Sequence, residues 1–152
     1  MENKRVYTVN EPPFDAARLF GLIDGLGADL LLASSRHNTR YLTGGYFYPL
    51  FMWDSHTRRT QHLSFLGIVP GSLENAFFVG RPGEADVMAE ADIWVTNRID
   101  SPRIGIASTV PTLAEQLRAR DLQASRIAVE LTALPASAMD ALRNALPHAE
   151  FV

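Results

Sequence analysis

Short apolar runs alternate along this chain with stretches whose apolar residues recur every three or four positions. The runs are Asp29-Leu30-Leu31-Leu32-Ala33-Ser34, Leu63–Val69, Ala76–Val79, Asp92–Thr96 and Arg126–Leu131. Ala16, Leu19, Phe20, Ile23 and Leu26 share one helical face. So do Val110, Leu113, Ala114 and Leu117, and then Ala138, Ala141, Leu142 and Ala145. A brief continuous run such as the first suits a strand buried on both faces, and the longer period suits an amphipathic helix. Alternation of the two predicts an α/β fold: a mixed sheet of five to six strands with helices on both faces.

Punctuation agrees with that reading. Gly25 and Gly27 end the first helix, and Gly44-Gly45 ends a segment, Arg36–Leu42, that allows one short helix. Pro70-Gly71-Ser72 supplies turn chemistry for a hairpin. Pro82–Glu90 suits a short helix, with proline near its first turn. Arg103–Ala107 suits a strand or an extended lead to the next helix. That helix is expected from Thr112, whose hydroxyl has capping-box spacing to Glu115. Pro135 opens the last helix, Pro147 ends it, and Glu150-Phe151-Val152 begins another strand. Residues 1–13 read as a polar lead-in and 14–152 as the domain.

Composition narrows the function. A chain of 152 residues suits one domain, burying roughly 70% of its unfolded surface. Its 17 acidic and 14 basic residues leave a net charge of -3, without the basic footprint of a nucleic-acid binder. No apolar run approaches the roughly 20 residues of a membrane span. The polar start, Met1-Glu2-Asn3-Lys4-Arg5, leads into no apolar secretion segment. Absence of cysteine removes disulfides, thiolate metal sites and a thiol nucleophile. The expectation is a cytoplasmic domain with neither nucleic-acid nor membrane partners.

Candidate chemistry is sparse. His37, His56, His62 and His148 include no pair at the helical spacing of a zinc peptidase. His56, His62 and Asp54 could hold zinc in principle, although a solvated polar loop explains them as well. Ser34-Ser35 follows a strand but lacks the glycines of a nucleophile elbow. Gly21, Gly25 and Gly27 precede a strand, the reverse of the order a phosphate cradle needs. Gly44-Gly45 and Gly80-Arg81-Pro82-Gly83 suit turns. Asp29, Asp92 and Glu130 stand at strand ends, where acids on adjacent strands of a nuclease could bind two metals. Solvated strand ends are the simpler account. The most informative irregular stretch is Tyr46, Phe47, Tyr48, Phe51 and Trp53, followed by His56, Arg58 and Arg59. Large aromatics in a loop must pack on something, either their own core or another surface, and the arginines would suit carboxylates.

Asn38-Thr39-Arg40-Tyr41-Leu42-Thr43-Gly44 resembles the Asn-x-x-Tyr-Leu-Thr/Ser-Gly motif of the creatinase/prolidase N-terminal domain. Arg126-Ile127-Ala128-Val129-Glu130 resembles that family's Arg-Ile-Gly-Val-Glu, and Leu146-Pro147-His148-Ala149 its Leu-Pro-x-Ala. The order and spacing of the motifs agree over about residues 14 to 152. The resemblance implies a ribonuclease H-like fold. It implies a non-catalytic domain preceding a "pita-bread" catalytic domain of Xaa-Pro dipeptidases, aminopeptidase P and creatinases. That domain, expected beyond this chain, would carry the divalent metal pair (Mn, Co or Zn) on two aspartates, a histidine and two glutamates. These 152 residues are thus expected to supply no catalytic residue and no metal ligand, and to show no peptidase activity alone.

The implied partners are that catalytic domain and a second copy in a homodimer. The implied pocket or dimer loop is Tyr46–Arg59, with Asn38, Tyr41, Leu42, Thr43 and Gly44 as the family motif. Two departures stand out. Creatinase-type members carry Phe-x-Arg in this loop, whereas Phe47 and Phe51 are followed two positions later by Pro49 and Trp53. Gly45 stands where a larger apolar residue is frequent. The alternatives are a creatinase-like C–N hydrolase, a free-standing binding domain, or a self-sufficient nuclease using Asp29, Asp92 and Glu130.

Overall fold

Asp15 opens helix α1 (Ala16–Gly25) by accepting the Arg18 N–H at 3.0 Å. Strand β1 (Leu30–Ala33) and helix α2 (Arg36–Thr43) follow. The computed structural model describes residues 6–46 and 63–152. After residue 63 come β2 (Phe65–Ile68) and β3 (Phe77–Gly80), joined through a 3-10 turn at Leu73–Asn75. They form the antiparallel hairpin predicted around Pro70-Gly71-Ser72. Then come α3 (Glu84–Glu90), β4 (Asn97–Asp100), α4 (Ile106–Arg118), β5 (Arg126–Val129), α5 (Ala136–Ala145) and β6 (Glu150–Phe151).

The strands make one six-stranded mixed sheet in the order β4-β3-β2-β1-β5-β6. β1 pairs antiparallel with β2, and β2 with β3. β1 with β5, β5 with β6, and β3 with β4 are parallel. Strand alternation divides the core into two layers. Leu30, Leu32, Phe65, Phe77 and Ile127 face α4 and α5, meeting Leu113, Leu117 and Leu142. Their neighbours Ala33, Leu66 and Phe78 face the other way, onto Phe14, Leu42, Met88 and Trp94. Both faces of the sheet therefore carry helices, and the central strands are apolar at every position. Tyr7 and Val9 of the lead-in pack on the second layer.

Three local expectations are corrected. Asp92–Thr96 is not a strand; β4 is the next four residues. Asp92 adopts φ +53 and ends α3, with Ile93 N–H on Met88 O and Asp92 N–H on Ala89 O. Ile93, Trp94 and Val95 are buried in the second layer. Arg98 takes the carbonyls of Ile93 and Val95 at 2.7 Å each, so those two acceptors need no strand partner. Of the two readings of Arg103–Ala107, the strand fails and the lead into the next helix holds as far as Gly105. Ser101 Oγ donates to Arg103 O and Ser108 Oγ accepts from Arg103 N–H, bending the chain into α4. α4 begins at Ile106, six residues before Thr112, and carries Pro111 inside it. Pro111 lies in the second turn, so the helix forgoes the one i→i−4 bond that an N–H there would have made to Ala107 O. Thr112 Oγ1 donates to Ser108 O, so it bonds back along the helix instead of capping it. Leu26 belongs to the C-cap of α1 and is exposed, apart from the buried face of Ile23.

Candidate functional site at the two ends of α2

α2 has only eight residues, too few to be stable alone, so its ends need outside partners. At the N-terminal end the partner is Glu130, the residue after β5. Its Oε2 accepts the backbone N–H of Ser34 and, at 2.7 Å, that of Ser35. Its Oε1 accepts the Ser35 hydroxyl at 2.6 Å and the Asn38 amide. Ser35 Oγ in turn accepts the Asn38 N–H at 3.2 Å and caps the helix. Burial works to raise the Glu130 pKa, but the donors of Ser35, Ser34 and Asn38 together outweigh it and hold the carboxyl below its ordinary range. Ser35 is thus a cap and a carboxylate donor, with both roles of its hydroxyl accounted for.

At the C-terminal end Gly44 adopts φ +81, Gly45 N–H bonds Arg40 O at 2.8 Å and Gly44 N–H bonds Tyr41 O at 3.2 Å. A Cβ on Gly44 would meet the Tyr7 ring at 2.5 Å, so both conformation and space demand glycine. Thr43 is buried, donates to Thr39 O at 2.6 Å and accepts Tyr46 N–H at 3.2 Å. Leu42 lies in the core, and its carbonyl receives the Trp94 indole at 2.8 Å. Tyr46 is buried edge-on to Phe78, ring centroids 6.0 Å apart. Its hydroxyl donates to Glu84 Oε1 at 2.9 Å. Glu84 is fully buried in the first turn of α3, where its other oxygen accepts Arg81 N–H at 3.0 Å. Burial pushes the Glu84 carboxyl up, and burial with the Glu84 carboxyl beside it pushes the Tyr46 phenol up.

Beside this end lies a groove of about 380 Å³ whose lining includes Tyr7, Gly45, Tyr46, Val87 and Asp92. Asp92 holds its left-handed conformation here, which aspartate adopts less readily than glycine. Asp92→Gly is expected to raise unfolding stability by about 0.5–1 kcal/mol. Urea unfolding measures it, and a loss of stability would show that the Asp92 carboxylate contributes more than its backbone strain.

Four of the five motif residues thus serve the fold: Asn38, Leu42, Thr43 and Gly44. Tyr41 differs, being 60% exposed beside the equally open Leu22. Of the predicted loop residues, Tyr46 is described. Phe47, Tyr48, Phe51, Trp53, His56, Arg58 and Arg59 lie outside the described residues, as do Asp54 and His62.

The three acids weighed as a nuclease centre do not assemble. Asp29 precedes β1 and accepts the Arg126 N–H at 2.9 Å, at the opposite end of the β1–β5 pair from Glu130. Asp92 follows α3. Among the described residues no three histidine, aspartate or glutamate side chains gather as metal ligands. Glu84 escaped sequence reasoning altogether, because an acid in a polar turn gives no hint of burial.

The sequence matches the creatinase/prolidase N-terminal domain family over residues 16–152. No curated protein matches the chain. Among solved structures, the Xaa-Pro dipeptidase from Bacillus anthracis superposes with a TM-score of 0.64 at 17% identity, over 90% of this chain and 32% of that one. The N-terminal domain of the cytoplasmic peptidase PepQ from Mycobacterium tuberculosis H37Rv gives 0.64 at 18%, over 90% and 89%. The X-Pro aminopeptidase from Thermotoga maritima MSB8 gives 0.63 at 15%, over 91% and 33%. This chain therefore spans about a third of the dipeptidase and the aminopeptidase. At these identities the likeness concerns the fold. The mixed six-stranded sheet, the motif at α2 and the match over 16–152 agree, and the chain belongs to the creatinase/prolidase N-terminal domain family.

Proposed function

We propose that this domain does no chemistry itself and serves a metal-dependent Xaa-Pro peptidase-like hydrolase, holding two copies together and shaping the substrate pocket of the partner copy. One observation supports the proposal: both ends of α2 are clamped and Tyr46 is held on Glu84, which fixes the last described residue before the aromatic and basic stretch. Phe47, Tyr48, Phe51 and Trp53 would wall the pocket, and His56, Arg58 or Arg59 would meet a carboxylate. The divalent metal pair (manganese, cobalt or zinc) belongs, in this reading, to a catalytic domain outside these residues. The described residues offer no ligand set that fits it. A cytoplasmic setting is part of the same proposal. No described helix is long and apolar enough to cross a membrane.

Sedimentation and an Xaa-Pro dipeptide assay with added manganese test the proposal. The chain alone is expected to dimerise in the micromolar range and to show no turnover. Trp53→Ala with Arg58→Ala is expected to weaken the dimer. In a polypeptide that also carries the catalytic domain, that pair should raise KM more than it lowers kcat. Turnover by these 152 residues alone, or a monomer at roughly 100 µM, would overturn the respective half.

A further inference from the structure

Four uncharged donors converge on one carboxylate at the start of α2, two to each oxygen. Two are backbone amides of residues preceding the helix, one is the Ser35 hydroxyl, and one is the Asn38 side chain. They all come from residues 34–38. The carboxylate comes from Glu130, 92 to 96 positions away in sequence. Donor set and acceptor are therefore separate pieces, related as a receptor is to its ligand. The hydroxyl of Ser34 is buried and has no hydrogen-bond partner among the described residues.

We infer that Ser34, Ser35 and Asn38 form a carboxylate receptor in which Glu130 is the resident ligand, and that a small free carboxylate occupies it when the Glu130 side chain is cut back. The physical basis is that a preformed set of convergent N–H and O–H donors binds an anion whether or not the anion is tethered. The tether supplies a high effective concentration, so the wild-type site excludes free carboxylates, and the truncated one takes them at high concentration.

Glu130→Ala, unfolded thermally at pH 7 in sodium acetate and in sodium chloride of equal ionic strength, tests this. After subtraction of the wild-type response, 1 M acetate is expected to raise the variant's Tm by about 3–5 °C over chloride, as for a site half-filled near roughly 0.1 M. The Ser34 and Ser35 amide resonances should move saturably with acetate in the variant and stay still in the wild type. Adding Ser35→Ala and Asn38→Ala should abolish both effects. Equal Tm values in the two salts, or unmoved amides, overturn the inference. If Glu130→Ala does not fold in chloride, far-UV circular dichroism after refolding in each salt gives the same answer. No recovery specific to acetate then overturns it.

Discussion

Gly67→Ala is expected to destabilise the protein by about 2–3 kcal/mol, the upper part of what an added methyl group costs in a packed core. Gly67 lies in β2, which is paired on both sides, and stands in register with Phe77 of β3. A Cβ on Gly67 would run into the Phe77 ring at Cζ and Cε1, and would stand 2.9 Å from Cδ1. The ring has no free direction: Phe77 is fully buried against α4, and the Arg120 guanidinium lies 4.4 Å from the ring centroid. Either the strands separate or the ring leaves its rotamer, and a packed interior resists both. Gly21 in α1 supplies the contrast. An added Cβ there meets nothing within 4 Å, and Gly21→Ala is expected to gain about 0.5–1 kcal/mol through helix propensity. Urea unfolding of the two variants should move in opposite directions. A Gly67→Ala midpoint at the wild-type value would mean that Phe77 can repack freely.

Long-period and short-run patterning made the fold legible, because Ala16, Leu19, Phe20 and Ile23 of α1 and Val110, Leu113, Ala114 and Leu117 of α4 mark the faces turned to the core, and the short runs of β1 and β5 mark strands covered on both sides. The errors arose where two local patterns competed. Ile93-Trp94-Val95 is as apolar as a strand, but the carbonyls of Ile93 and Val95 are taken by the Arg98 side chain five and three residues on. Thr112 and Glu115 have cap spacing by coincidence inside a helix already running from Ile106. The site divides in the same way. Gly44 was legible as a helix end because its conformation is set locally. The roles of Asn38, Leu42 and Tyr46 were not, since their partners Glu130, Trp94 and Glu84 lie 92, 52 and 38 residues away. Tyr41 is the converse case: a motif residue whose side chain the domain leaves exposed.

Glu130→Gln is expected to lower stability at pH 7 by about 1–2 kcal/mol, and the gap to wild type should close in acid. An amide of the same shape keeps one acceptor for the Ser34 and Ser35 N–H groups but turns an NH2 toward Ser35 Oγ and Asn38, which must both reorient. It also loses the charge that strengthens all four bonds. The sign of the pH dependence follows from the depressed pKa of Glu130. A carboxyl whose folded pKa lies below its unfolded value contributes stability above the unfolded pKa, about 4.3, and loses it as pH falls through the folded pKa. Glu84, raised by burial, works in the opposite sense and detracts from stability as pH rises, so absolute stability curves mix the two. The difference between wild type and Glu130→Gln cancels Glu84 and isolates the clamp. That difference should be full at pH 7, shrink below about pH 4 and approach zero once Glu130 is protonated in both states. A gap of the same size at pH 7 and at pH 2.5 would show that the Glu130 contacts hold α2 through shape alone, with no contribution from its charge.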